Sequence, residues 1–143
     1  MIHNALDIAK YIINKCTLDE MPISDLQLQK ILYFIQVNFI RQFNSPAFNN
    51  KMIAKQYGPV VSDVYAEYKI YGAMPICLLY DDVAEFTSEE KTVADWVIER
   101  CRSLNPWELV AKSHVPDGPW SKTKLESEIE MSLVRDYAIN GIG

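Results

Sequence analysis

Between Ile23 and Phe39 the apolar residues Leu28, Ile31, Leu32, Ile35 and Phe39 recur at the i, i+3, i+4, i+7, i+11 spacing of one helical face. Tyr33 and Phe34 widen that stripe, so the helix is expected to be covered on more than one side. Its start is marked by Ser24, which can cap the free N–H groups of the first turn, with Gln27 placed to reach back. Ile23 and Leu28 occupy the two positions of a hydrophobic staple. Asp25 suits the positive end of the helix dipole. The pattern predicts a central core helix over 24–40.

The same rhythm runs through the rest of the chain. Ile8, Ala9, Ile12, Ile13 and Cys16 predict a first helix over 5–16, capped by Asn4. Residues 52–57 are short and partly alternating, as a strand is. Gly58-Pro59 reads as a tight turn into a helix from about 61 to 71, with Val61, Val64, Tyr65 and Tyr68 facing inward. Gly72 is placed to end that helix in the left-handed conformation. The run Ile76–Tyr80 is too short for a stable helix and is expected to be a strand paired with 52–57.

Thr87 and Glu90 form a second capping box, opening a helix to about Ser103 with Val93, Trp96, Val97 and Cys101 on one face. Asn105-Pro106 starts another helix that ends near His114, and VPDGPW follows as a rigid loop. Residues 122–128 are polar and without a clear period. Leu133, Val134 and Tyr137 predict a last helix over 131–139. The class is therefore mainly α with a minor two-stranded β element. It forms a bundle of about six helices in a single domain over 1–143.

Composition adds constraints. The chain has 143 residues, of which 49% are hydrophobic, enough to bury a core. Its formal charge of −5 argues against a nucleic-acid partner, which requires a basic footprint. No apolar run approaches the ~20 residues needed to cross a membrane. Neither a secretory signal nor a disulfide pattern is visible, and Cys16 and Cys101 lie on apolar faces as reduced thiols do. A cytoplasmic protein is expected.

Enzyme signatures are sparse. The two histidines are His3, near the start, and His114. No CxxC, HExxH, nucleophile elbow or Gly-rich phosphate loop occurs. His114 with Asp117 could serve as a base and its orienting carboxylate, the remote case of a hydrolase. A histidine bonded to backbone at a helix C-terminus is the simpler reading. Asp81, Asp82 and Glu85 lack the spacing of a calcium loop and read as a solvated turn. No metal or cofactor is expected. Of the eight tyrosines, Tyr57, Tyr65, Tyr68 and Tyr71 crowd one segment.

Three ordered motifs carry a resemblance. They are Leu28-Gln29-Lys30-Ile31-Leu32-Tyr33-Phe34-Ile35-Gln36, then Tyr57-Gly58-Pro59-Val60-Val61 with Tyr68-Lys69 and Tyr71-Gly72, and finally Trp107-Glu108-Leu109 through His114 to Gly118-Pro119-Trp120. Together they resemble the Panacea domain, a family of SocA-like and phage-associated proteins. Lys55 or Gln56 stands where that family has a tryptophan, and Ser113 where it has a threonine.

The resemblance implies an antitoxin that binds and neutralises a cognate toxin protein. An adaptor delivering its client to an energy-dependent protease or other host protein is the alternative. On either account the expected binding surface joins the Tyr57-Gly58-Pro59 turn to the loop carrying His114, Asp117 and Trp120. Rigid loops on a helical scaffold are where recognition concentrates.

Overall fold

The computed structural model describes residues 2–141. Its six α-helices are α1 (Ala5–Leu18), α2 (Asp25–Phe43), α3 (Ser62–Tyr68), α4 (Ser88–Arg102), α5 (Pro106–Ser113) and α6 (Met131–Asn140). One hairpin, β1 (Met52–Lys55) and β2 (Gly58–Val61), lies between α2 and α3, and a 3-10 turn at Lys69–Tyr71 follows α3. No helix among the described residues is long and apolar enough to cross a membrane.

The central helix is α2, which packs against every other helix and against β2. Leu28, Ile31, Leu32, Ile35 and Phe39 are all buried, so the predicted phase holds. Ser24 accepts from Gln27 N, and the Gln27 side chain accepts from Ser24 N, closing the capping box. The helix continues past the predicted end to Phe43, where Asn44 adopts φ 55° and stops it. Capping boxes also open α4 at Thr87–Glu90 and α5 at Asn105–Glu108.

Three polar side chains of α2, those of Gln29, Lys30 and Gln36, point into the core, and each satisfies backbone that no neighbouring strand reaches. Gln36 Oε1 accepts from Ala47 N and Phe48 N at 2.7 and 3.2 Å, while its Nε2 donates to Phe48 O at 2.8 Å. Gln29 Oε1 accepts from Val61 N at 2.8 Å, and Lys30 Nζ donates to Pro59 O at 2.9 Å. Unpaired buried backbone groups are costly, so these residues hold irregular segments against the helix at little penalty.

An isolated two-stranded hairpin is marginal in water. Here both edges are covered. β1 pairs with β2 in antiparallel register, Met52 opposite Val61 and Lys55 opposite Gly58. On its other side it bonds the 126–129 segment: Ala54 N donates to Ser127 O, Glu126 N to Ala54 O and Ile129 N to Met52 O. The outer edge of β2 holds Pro59, which has no N–H, and its remaining groups meet Gln29 and Lys30.

Four expectations need correction. Gly58-Pro59 is not a turn into a helix but the first half of β2, paired with Lys55 and Ala54, and the turn is Gln56-Tyr57. The Ile76–Tyr80 run is not a strand of the sheet, because the 126–129 segment already occupies the edge of β1. Ile76 instead makes a single bridge to Ile23, and Tyr80 is held by the Asn14 side chain and by Tyr68. Tyr65 and Trp96 are 42% and 52% exposed, so their helices are turned further from them than the apolar stripe suggested. Gly72 has φ 57° with ψ −126°, a region open to glycine but not the left-handed helix form.

The N-terminal segment is tied down as well. His3 N donates to Ala47 O at 2.8 Å, and His3 Nε2 lies 3.2 Å from Glu90 Oε1. Although burial works the other way, the Thr87 backbone N–H and His3 hold the Glu90 carboxyl below the usual range. Cys16 and Cys101 are buried free thiols. Burial pushes Cys101 up to about 12.

Candidate functional site

The hairpin turn and the loop after α5 meet at one junction. Gln56 and Tyr57 form the turn, and Gly58 follows with φ 115°. A Cβ at Gly58 would lie 2.5 Å from Ser113 Oγ and 2.8 Å from Lys30 Cε. Only glycine therefore lets β2 run this close to α2 and α5, and its positive φ makes the same demand.

His114 bridges the two segments. Its Nδ1 lies 2.6 Å from Val110 O, and its Nε2 lies 3.1 Å from Gln56 O. The Trp120 ring packs on the imidazole with centroids 3.6 Å apart, and Trp120 Nε1 donates to Lys55 O at 2.7 Å. Trp120 is half-buried and packs against the core. It fastens the loop to β1 more than it presents itself to solvent. Ser113, buried at 1% exposure, donates through Oγ to Val110 O at 2.8 Å, the kind of bond its threonine counterpart could also make.

Tyr57, Gly58, Pro59, His114 and Trp120 are thus brought together, whereas Asp117 is not engaged with them. Asp117 is exposed at φ 66° in the loop, and the polar partners of His114 are Val110 O, Gln56 O and Ser113 Oγ. The imagined pairing of His114 with Asp117 therefore does not form. Ser113 Oγ, 3.2 Å from His114 Nδ1, is buried and spends its proton on Val110 O. Asp81, Asp82 and Glu85 are exposed.

Sequence reasoning overlooked one aromatic and one buried set of residues here. The first is Trp107: 60% exposed, it meets the expected Tyr57, 45% exposed, edge to face with centroids 5.4 Å apart. The signal was present. Leu109 must face inward, and two residues along a helix is more than half a turn, so Trp107 has to point away from the core. The second set is Gln29, Lys30 and Ser113, the buried polar residues beneath the turn. Three polar residues inside otherwise apolar helical stretches were the available sign.

Electrostatics beneath the junction are unusual. Burial pushes the Lys30 ammonium down to about 7, against the pull of the Asp25 carboxylate. Burial raises Asp25, opposed by a hydrogen bond from Gln29 Nε2 at 3.2 Å. Asp25, Gln29 and Lys30 form one buried polar layer under β2, a support for the turn above it.

Residues 28–121, the span that includes α2, the hairpin and the loop through Trp120, match the family described as antitoxin SocA-like, Panacea domain. The chain is also similar to Antitoxin SocA of Caulobacter vibrioides (strain NA1000 / CB15N). The two are 27% identical over 128 residues, covering 82% of this chain and 68% of that protein. No solved structure matches the chain. With more than half its length inside the match, and with the residues of the match building the core helix and the loop junction, the chain belongs to the SocA-like Panacea family of antitoxins.

Proposed function

We propose that the protein neutralises a cognate toxin by binding it directly, through the exposed aromatic pair Tyr57 and Trp107 and the junction behind them. The carrying observation is that pair: two aromatics, 45% and 60% exposed, one on a turn fastened by the Lys30–Pro59 and Trp120–Lys55 hydrogen bonds and the other at the capped start of α5. Aromatic anchors on rigid supports lose little entropy on binding and dominate interface energetics. The antitoxin name of the Caulobacter relative supports the reading. The mechanism is steric sequestration without catalysis, over an interface of about 1,200–2,000 Å² in total.

The test is co-expression with a toxic protein encoded beside this one. Growth should be restored and the two chains should copurify. The Tyr57→Ala/Trp107→Ala variant should lose both effects while keeping its melting temperature. Full rescue by that variant would move the interface to another face, and no rescue by the wild-type chain would sink the function. Rescue in cells lacking energy-dependent proteases separates sequestration from protease delivery.

A further inference from the structure

A second feature uses none of the junction residues named above. Between α2, α4, α5 and α6 lies a cavity of about 410 Å³, within the size range of ligand pockets. Phe34, Val97 and Tyr137 contribute to its apolar wall, and every charged residue of the lining is a cation: Arg41, Arg100 and Lys112. In a chain of net charge −5 this is a local reversal of sign.

Carboxylates near the lining residues in sequence keep their charge but bond to other partners. Glu108 Oε1 accepts from Asn105 N at 3.0 Å, Glu99 pairs with Lys15 at 3.0 Å, and Asp136 accepts from Asn140 at 2.9 Å. Among the described residues none of the three cations forms a salt bridge. Arg41 donates through Nε to Ala138 O at 2.9 Å, yet its Nη2 is buried with no hydrogen-bond partner among the described residues. A buried guanidinium N–H calls for an acceptor, and carboxylate geometry suits it best. Arg100 lies over the Trp96 ring, 4.9 Å from its centroid. Trp96, 52% exposed, also lines the cavity, so the apolar surface reaches the solvent-facing side of α4.

We propose that this groove docks an acidic segment of a protein partner, anchored by one aromatic or branched aliphatic side chain. The anchor fills the apolar wall, flanking carboxylates meet Arg100 and Lys112, and Arg41 adds a third positive charge to the lining. The reach of the groove onto Trp96 favours an extended segment over a compact small molecule. The inference does not depend on the toxin reading, because the two surfaces are built from different residues.

The experiment titrates a fluorescein-labelled peptide, a central Phe flanked by Asp and Glu, against the full chain by anisotropy. A matched peptide carries Asn and Gln at the acidic positions, and another carries Ser for Phe. The acidic Phe peptide should bind at least about tenfold more tightly than either control, and more weakly at high salt. Arg100→Glu/Lys112→Glu, two exposed positions, should abolish binding in a protein that still melts cooperatively.

Several results overturn the proposal. They are equal affinity for the amide peptide, equal affinity for the Ser peptide, no saturable binding, or binding unchanged in the folded double variant. Displacement of the peptide by a single-stranded oligonucleotide at comparable concentration would also overturn it, in favour of a nucleic-acid surface. No toxin enters this assay, so its failure and a failure of growth rescue are separate results.

Discussion

Lys30 Nζ donates a hydrogen bond to the carbonyl oxygen of Pro59 at 2.9 Å from a side chain with no exposed surface. Pro59 follows Gly58 on the edge of the hairpin, and its oxygen points away from β1 into the bundle. A helix residue thus closes a strand edge that would otherwise bury an unmet acceptor. The same contact fixes the turn on which Tyr57 stands.

Lys30 should make stability depend on pH. Its ammonium is pushed down to about 7 in the folded chain, whereas an unfolded lysine titrates near ~10.4. Above about pH 7 the unfolded chain therefore holds a proton that the folded chain has released, and stability rises with pH. Below that both states are protonated and the contribution is flat and unfavourable. The Cys16 and Cys101 thiols, raised by burial, act with the opposite sign above their unfolded value of about 8.5. Urea melts between about pH 6 and 8.5 should show a positive slope of up to about 1.4 kcal/mol per pH unit. Lys30→Met should flatten it; an unchanged slope would mean that Lys30 does not titrate there.

Gly58→Val should destabilise the fold by roughly 1–3 kcal/mol from backbone strain, with the collision against Ser113 Oγ added to it. Adding Ser113→Ala should recover only part of the loss, since the φ of 115° remains. Chemical denaturation of both variants gives the split. Complete recovery in the double variant would show that contact alone, and not conformation, demands glycine.

Leu32→Asp should abolish cooperative folding. Leu32 has no exposed surface in the middle of α2, and an unpaired buried carboxylate costs several kcal/mol, comparable to the stability of a domain this size. A wild-type melt by circular dichroism would contradict the burial of this face.

Trp120 and Trp107 should separate cleanly. Trp120→Ala removes the hydrogen bond to Lys55 O and the tilted ring contact with His114, and should lower stability by about 2–4 kcal/mol. Trp107→Ala removes a largely exposed ring and should stay within about 0.5 kcal/mol of wild type. Comparable melting-temperature losses in both would place Trp107 in the core and remove it from the candidate interface.

What the sequence determined by itself was whatever depends on neighbours along the chain. The spacing of Leu28, Ile31, Leu32, Ile35 and Phe39 fixed the phase of α2, because a helix repeats every 3.6 residues whatever it packs against. Capping residues Ser24, Thr87 and Asn105 fixed three helix starts, since their partners lie three residues on. Gly58 announced a backbone conformation that favours glycine, though not that it opens a strand, and ordered motifs announced the family.

Tertiary structure alone decided which distant groups pair. Ile76–Tyr80 has strand composition, but the edge of β1 went to the unpatterned 126–129 segment, and an apolar run carries no record of which edge is free. Gln29, Lys30 and Gln36 look like flaws in an apolar helix until Val61, Pro59, Ala47 and Phe48 are seen beside them. The aromatic pair and the cationic groove follow the same logic. Tyr57 and Trp107, or Arg41, Arg100 and Lys112, become one surface only when helices far apart in the chain are packed together.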